Sequence, residues 1–401
     1  MKPKNWSRRD FLKTAGVGGI GAVLGPRVAD GTETESKKHA RMPTRPFGRT
    51  GFDVPILSLG GMFDIPNNQL VLNQAIRTGV TYWDTAHGYG NGVSETGFGQ
   101  FFQKYPEERK KIFLVTKSPD RDPKGMTKHL DLSLKRMNTS YIDLFFMHAF
   151  RNTRPLTKNV RAWAEKQKTA GRIRLFGFST HRNMEKCLSK AAGLGWIDGI
   201  MMTYNYRLMH TQKMKDAVNA CVDAGIGLTA MKTQGGGQIR TSSEQELSLG
   251  GRFLEKGFTE HQAKLKAVWE NPQISAICSM MENMTFLMAN TAAALDKTRL
   301  SAGDVERLAA YADTTAFSYC TGCGDICENA IAEDIPIADV MRYLMYTESY
   351  GNRDRAVAGF QRLPERTRRQ MACTDYREAE RRCPQKMAIG DLMRRAQRQL
   401  V

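Results

Sequence analysis

Four of the eight cysteines in this 401-residue chain fall into a chemically recognisable pattern. Cys320, Cys323 and Cys327 stand at C-x2-C-x3-C spacing in "YCTGCGDICENA", and Cys383 follows much later, directly before Pro384. A close thiol triplet with a remote Cys-Pro is the arrangement that holds a 4Fe-4S cluster. The short spacing lets one turn wrap a cluster corner. Gly322 and Gly324 allow close backbone approach, and Pro384 fixes the exit of the chain. Structural zinc and disulfides are the alternatives. The gap from Cys327 to Cys383 is unlike a zinc ribbon, and the short triplet disfavours disulfides. Cys373 reads as part of a degenerate second motif, or as a substitute ligand. Cys187, Cys221 and Cys278 are isolated and read as core residues.

The other end of the chain reads as an address. "SRRDFLK" (7–13) precedes a mild apolar run, "TAGVGGIGAVLG" (14–25), too short to span a bilayer as a helix. The motif resembles the twin-arginine export signal. That resemblance implies passage through the translocase in folded form and a periplasmic or exported location, a route used when a cofactor is inserted beforehand. Residues 1–29 form the signal and 30–43 a polar linker. Cutting after Ala29 would put Arg27 where a small residue is preferred, so retention as an anchor and a different cut stay open.

Between these ends, short apolar runs alternate with amphipathic stretches. The strand candidates are 55–61, 80–86, 111–118, 142–149, 173–180, 199–205, 225–232 and 274–280. Helical spacing marks 68–79 and 125–138. Eight such units predict a (β/α)8 TIM barrel over 44–300, and 301–401 a mostly helical extension carrying the cluster cysteines. A doubly wound sheet is the competing architecture, and a G-x-G-x-x-G turn after the first strand is absent. In a barrel, chemistry sits where strands end. Asp84, Lys117 and His148 end the second, third and fourth strands, and Tyr89 lies in the loop after the second.

Those motifs resemble the aldo/keto reductase family. "YWDTAHGYGNGVSETGFG" (82–99) is similar to its first signature, with Asp84, Tyr89, Glu95 and Gly99. "LVTKS" supplies the lysine, "FMHAF" the histidine, and "GRIRLFGFSTH" (171–181) resembles the second signature. "RPFGRTGFDVPILSLGG" (45–61) looks like the family's N-terminal hairpin and first strand. The resemblance implies carbonyl–alcohol interconversion by hydride transfer from tightly bound NADP or NAD, on a small carbonyl or sugar substrate. Tyr89 would be the general acid, its pKa lowered by Lys117, which Asp84 holds; His148 would orient the substrate oxygen. Ser179 and Asn205 would hold the nicotinamide amide. Gly235 and Gly236 lie in a long loop over 233–258 that closes over the site; they would approach the pyrophosphate, or the loop is a plain flexible lid. Two departures stand out. The stretch 278–290 has no Lys or Arg for a 2′-phosphate, and Met231 replaces a stacking aromatic.

Net charge is +18, of which residues 1–29 carry +5 and residues 353–401 carry +7, from 13 basic and 6 acidic residues. The basic tail reads as a solvated face, or as a dock for an acidic redox partner. Nothing points to nucleic acid. The alternative function is an iron–sulfur electron-transfer or scaffold protein whose barrel no longer turns over nicotinamide.

Overall fold

The computed structural model describes residues 41–236 and 244–401. The twin-arginine stretch, the apolar run after it and most of the linker lie outside the described residues. Among the described residues, no helix is long and apolar enough to cross a membrane.

A short hairpin comes first: β1 (Thr44–Pro46) pairs antiparallel with β2 (Asp53–Pro55). Its tip residue Phe47 is fully buried and fills the floor of the barrel against Gly199 and Gly227, where a Cβ would collide with its ring. The barrel strands follow: β3 (Leu57–Gly60), β4 (Tyr82–Asp84), β5 (Phe113–Ser118), β6 (Ile142–Phe150), β7 (Ile173–Thr180), β8 (Gly199–Thr203), β9 (Gly227–Met231) and β10 (Ala276–Met280). All pair parallel with their neighbours, and β10 closes on β3. These strands are buried on both faces, which is why they read as apolar runs rather than as alternation. The inward layer includes Tyr82, Phe113, Leu144, Phe146 and Met201; the larger cluster lies between strands and helices.

The long loop expected over 233–258 is in part a helix, Glu244–Glu255. Leu249 and Phe253, one turn apart, bury themselves with Phe258 and Leu308, and that packing decides the conformation over the glycines nearby. Residues 237–243 lie outside the described set.

Beyond the barrel helices, helix Ala302–Thr314 packs through Leu308 and Tyr311 on Phe253 and Phe258, and the rest of the chain folds into helices around a separate core containing Ile337, Leu344, Phe360, Tyr376 and Met393. The last helix, Ile389–Leu400, shows why its sequence is so basic. Ile389, Met393, Ala396 and Leu400 form one buried stripe, while Arg394, Arg395 and Arg398 face water. The helical extension sits on the barrel through buried charges. Asp339 accepts from Arg151 (2.7 Å), Arg182 (2.9 Å) and Arg342 (2.7 Å). Arg182 also pairs with Glu328, and Asn183 bonds Asp325 through side chain and backbone.

Candidate active site at the barrel mouth

Asp84 and Lys117 end adjacent strands, β4 and β5, and both are buried. Lys117 Nζ donates to Asp84 Oδ1 at 2.5 Å and to the Thr85 carbonyl at 2.7 Å. Its third direction faces the Tyr89 hydroxyl at 3.5 Å. The loop that delivers Tyr89 is tied down by backbone bonds: Thr85 N–H to Val115 O, His87 N–H to Lys117 O and Tyr89 N–H to Ala86 O. The signature residues after it are anchors. Fully buried Glu95 accepts from Thr116 (2.7 Å) and Ser133 (2.6 Å) and pairs with Arg136 (3.0 Å). Gly99 is glycine because a Cβ there would run into the Arg136 carbonyl.

His148 reaches the same point from β6, its ring 5.7 Å from that of Tyr89 and nearly perpendicular to it. The register of β6 against β7 shifts between Met147 and Phe150, and Ala149 takes φ 54°. Strain of this kind at a non-glycine residue costs of order 1–3 kcal/mol and needs support. Ser179 gives it: its Oγ accepts the Ala149 N–H at 3.0 Å. Ser179 therefore positions the backbone that carries His148.

Burial opposes the Lys117 charge, but Asp84, and then Tyr89, outweigh it and the ammonium is held above its usual range. Burial pushes the Tyr89 phenol up to about 12, with Asp84 adding and Lys117 opposing. The expected downward pull of Lys117 is present, and desolvation exceeds it. The result is a phenol that keeps its proton at neutral pH. His148 is held well below its usual value by burial, then by Lys117 and Arg121, so its imidazole is neutral. Cys278, read from the sequence as core, lies beside this group and its thiol is pushed up by burial and by Asp84.

The C-terminal region covers the mouth. Asn205 Nδ2 donates to the Lys232 carbonyl (3.0 Å) and to the Tyr319 hydroxyl (3.1 Å), and its Oδ1 accepts the Arg207 N–H. A Cβ on Gly235 would meet the Tyr206 ring at 2.6 Å and one on Gly236 the Tyr319 ring at 2.9 Å. Both glycines thus accommodate tyrosines. Lys232, just past the end of β9, donates to the Tyr346 hydroxyl at 2.9 Å. A cavity between barrel and extension is lined by His181, Thr203, Lys232, Tyr319, Cys320 and Arg342, among others. The rim rule would have flagged Lys232; nothing local flags Tyr319 or Tyr346.

Cys320, Cys323, Cys327 and Cys383 line one further cavity, with Ile326, Ile337, Met341, Pro384 and Ile389. All four are free thiols. As they stand, no three His, Cys, Asp or Glu among the described residues converge tightly enough to hold a metal ion. Cys373 is exposed and is not part of this lining. Cys187 and Cys221 are buried in the main core.

Comparison with known proteins agrees with the barrel. An aldo-keto reductase of Fusarium vanettenii is 28% identical over 262 residues, covering 54% of this chain and 70% of that protein. The "Aldo-keto reductase yakc [NADP(+)]" of Schizosaccharomyces pombe is 30% identical over 217 residues, 49% of this chain and 62% of that protein. Among solved structures, aldo-keto reductase AKR11C1 from Bacillus halodurans superposes with a TM-score of 0.57 at 21% identity, over 67% of this chain and 95% of that one, a likeness of fold. Residues 59–295 match the Aldo/keto reductase family. The chain belongs to that family and is an oxidoreductase of aldo/keto reductase type.

Proposed function

We propose that this oxidoreductase interconverts a carbonyl and an alcohol of a small molecule at the barrel mouth. Tyr89 gives its phenolic proton to the carbonyl oxygen during reduction and recovers it in the reverse direction, a contribution of roughly 10²–10⁴-fold for a well-placed acid. Lys117 offsets the charge left on the phenol, Asp84 keeps Lys117 charged and fixed, and neutral His148 donates a hydrogen bond to the substrate oxygen. One observation carries this reading: a single ammonium bonded to Asp84 also faces the Tyr89 hydroxyl, with an imidazole beside the same ring.

The residues named for a nicotinamide do not fit it as they stand. Both N–H bonds of Asn205 are taken, Ser179 serves Ala149, and the glycines lie under tyrosine rings. The start of the helix after β10 presents Met284, Phe286 and Met288 to solvent where a phosphate would want cations. For NADP or NAD to use Asn205 and Gly236, Tyr319 would have to move.

The cysteine cavity supports the second part of the proposal, a 4Fe-4S cluster held by Cys320, Cys323, Cys327 and Cys383. Burial raises the Cys320, Cys323 and Cys327 thiols, so thiolates persist there only against a positive centre. Four thiols spread around a cavity suit a cluster better than one zinc ion with bonds of about 2.3 Å. Such a cluster supplies one-electron transfer. Cys320 lines both cavities, which favours a second reading: an electron-transfer protein passing charge to a redox partner. Export of the folded, loaded protein belongs to the same proposal and rests on residues 7–25.

The test uses the full chain purified without oxygen. Aldehyde turnover with NADPH and NADH is compared with that of Tyr89→Phe, alongside iron and sulfide content and the EPR spectrum. Loss of turnover with an unchanged spectrum is expected. Undiminished turnover in the phenylalanine variant would falsify the assignment of the proton to Tyr89.

A further inference from the structure

Two cations line the mouth cavity, Lys232 and Arg342, and Arg342 alone is paired with a carboxylate, that of Asp339. Lys232 has φ 55°, a left-handed backbone that L side chains rarely adopt. Asn205 Nδ2 and the Gly235 N–H hold its carbonyl in that conformation. Strain at a rim position is what a functional site retains and a structural one sheds. Only one of its three N–H bonds is spoken for, by the Tyr346 hydroxyl. The Arg355 guanidinium lies over the Tyr346 ring, 4.2 Å from its centre. Arg342, on the helix that carries Tyr346, lines the cavity. Across the mouth, Arg121 bonds backbone carbonyls beside His148 and lies 5.0 Å from the Phe150 ring centre.

The acids nearby are already paired, Asp339 with Arg342 itself among others. Asp339 serves three arginines, Asp84 serves Lys117 and Glu348 faces Arg395 at 3.5 Å. Among the described residues, Lys232, Arg121 and Arg355 have no carboxylate within ion-pair distance. Part-buried cations in that condition are destabilised until an anion arrives. Tyr346 itself responds: burial raises its phenol, yet Lys232, Arg355 and Arg342 outweigh burial and bring it to about 7. Arg355 acts on Tyr89 and Tyr346 alike, which ties the cationic wall to the proton donor.

We infer that Lys232, with Arg342 and Arg355, forms an oxyanion subsite that takes the carboxylate or phosphate of a small substrate while its carbonyl is presented to Tyr89 and His148. The subsite deepens the proposed function and rests on it only for the second half of that statement. Two of its three side chains come from the helical extension, so the barrel alone has no such site.

Isothermal titration of the full chain with succinate, with inorganic phosphate and with neutral 1,4-butanediol tests the subsite without turnover. Saturable binding of an anion and none of the diol is expected, equally in Tyr89→Phe. Affinity should fall by at least about tenfold in Lys232→Gln, the scale of one charge-assisted hydrogen bond, and less in Lys232→Arg. Whichever anion binds more tightly identifies the group. If Lys232→Gln does not fold by circular dichroism, Arg355→Gln carries the same expectation. Absence of saturable anion binding, or binding unchanged by these substitutions, overturns the subsite. Turnover separates the two ideas: succinic semialdehyde should be preferred to butyraldehyde in kcat/KM, and Lys232→Gln should erase the preference. Anion binding with no turnover of either aldehyde removes the proposed function and leaves the subsite. Equal turnover of both without anion binding does the reverse.

Discussion

Tyr319 and Asn205 are hydrogen-bonded, hydroxyl to amide, at 3.1 Å across 114 residues of sequence. The bond joins the residue before Cys320 to a side chain at the mouth of the barrel. Tyr319→Ala removes both this bond and the ring over Gly236. NADPH or NADH should then bind more tightly than to the parent chain, by about tenfold or more if one hydrogen bond and a ring are all that stand in the way. Fluorescence titration reads this directly. Equal affinities in the two proteins would show that Tyr319 bars nothing.

Lys117→Met should reduce carbonyl turnover by about 10²-fold or more, because the phenolate left by Tyr89 loses its nearest positive charge. Because a phenol pushed up to about 12 stays protonated, the rate of the reductive step should be flat between roughly pH 6 and 9. A stopped-flow pH profile with a phenol-like step near neutrality would contradict this.

Two buried histidines make the fold sensitive to acid. His148 and His181 are held neutral chiefly by burial, with nearby cations adding. The unfolded chain takes up protons near pH ~6.5, while the folded chain resists. Below that value the unfolded state therefore binds more protons, and stability falls as pH falls. Above it this contribution is fully present. Chemical denaturation midpoints at pH 7.5 and 5.5 check the sign; a higher midpoint at 5.5 would be the wrong one.

Asp339→Ala should loosen the helical extension from the barrel. It leaves Arg182 and Arg342 facing each other without their shared carboxylate, a loss of about 3–5 kcal/mol for a buried pair broken on one side. Limited proteolysis should then cut between 296 and 337 well before the barrel is touched. Unchanged cleavage kinetics would mean the clamp is redundant.

The barrel is legible because its strands are short and buried on both faces, so "LFFM" and "FLV" stand out as apolar runs, each leading to the polar residue that stands at the rim. The rim rule then brought Asp84, Lys117 and His148 into one neighbourhood. Helix Glu244–Glu255 is hidden in the sequence because Gly250 and Gly251 fall within it and further glycines flank it, which masks the Leu249–Phe253 spacing. The roof over the site was out of reach for a different reason. Tyr319 and Tyr346 arrive by tertiary docking, through hydroxyl hydrogen bonds to Asn205 and Lys232, and Arg355 by lying over the Tyr346 ring; such contacts leave no period in a sequence. Ser179 is instructive in another way: it lies beside the site, yet its hydroxyl is spent on holding Ala149.

Gly322 rests against the carbonyl of His181, with no room for a methyl group, and its own carbonyl accepts the Asn183 N–H. The peptide between Cys320 and Cys323 is thus moulded on the tip of β7. An unfinished barrel offers that peptide no template. The shape of the thiol-bearing turn is accordingly borrowed from the barrel: with the tip of β7 displaced, the turn loses both its steric stop and its hydrogen bond.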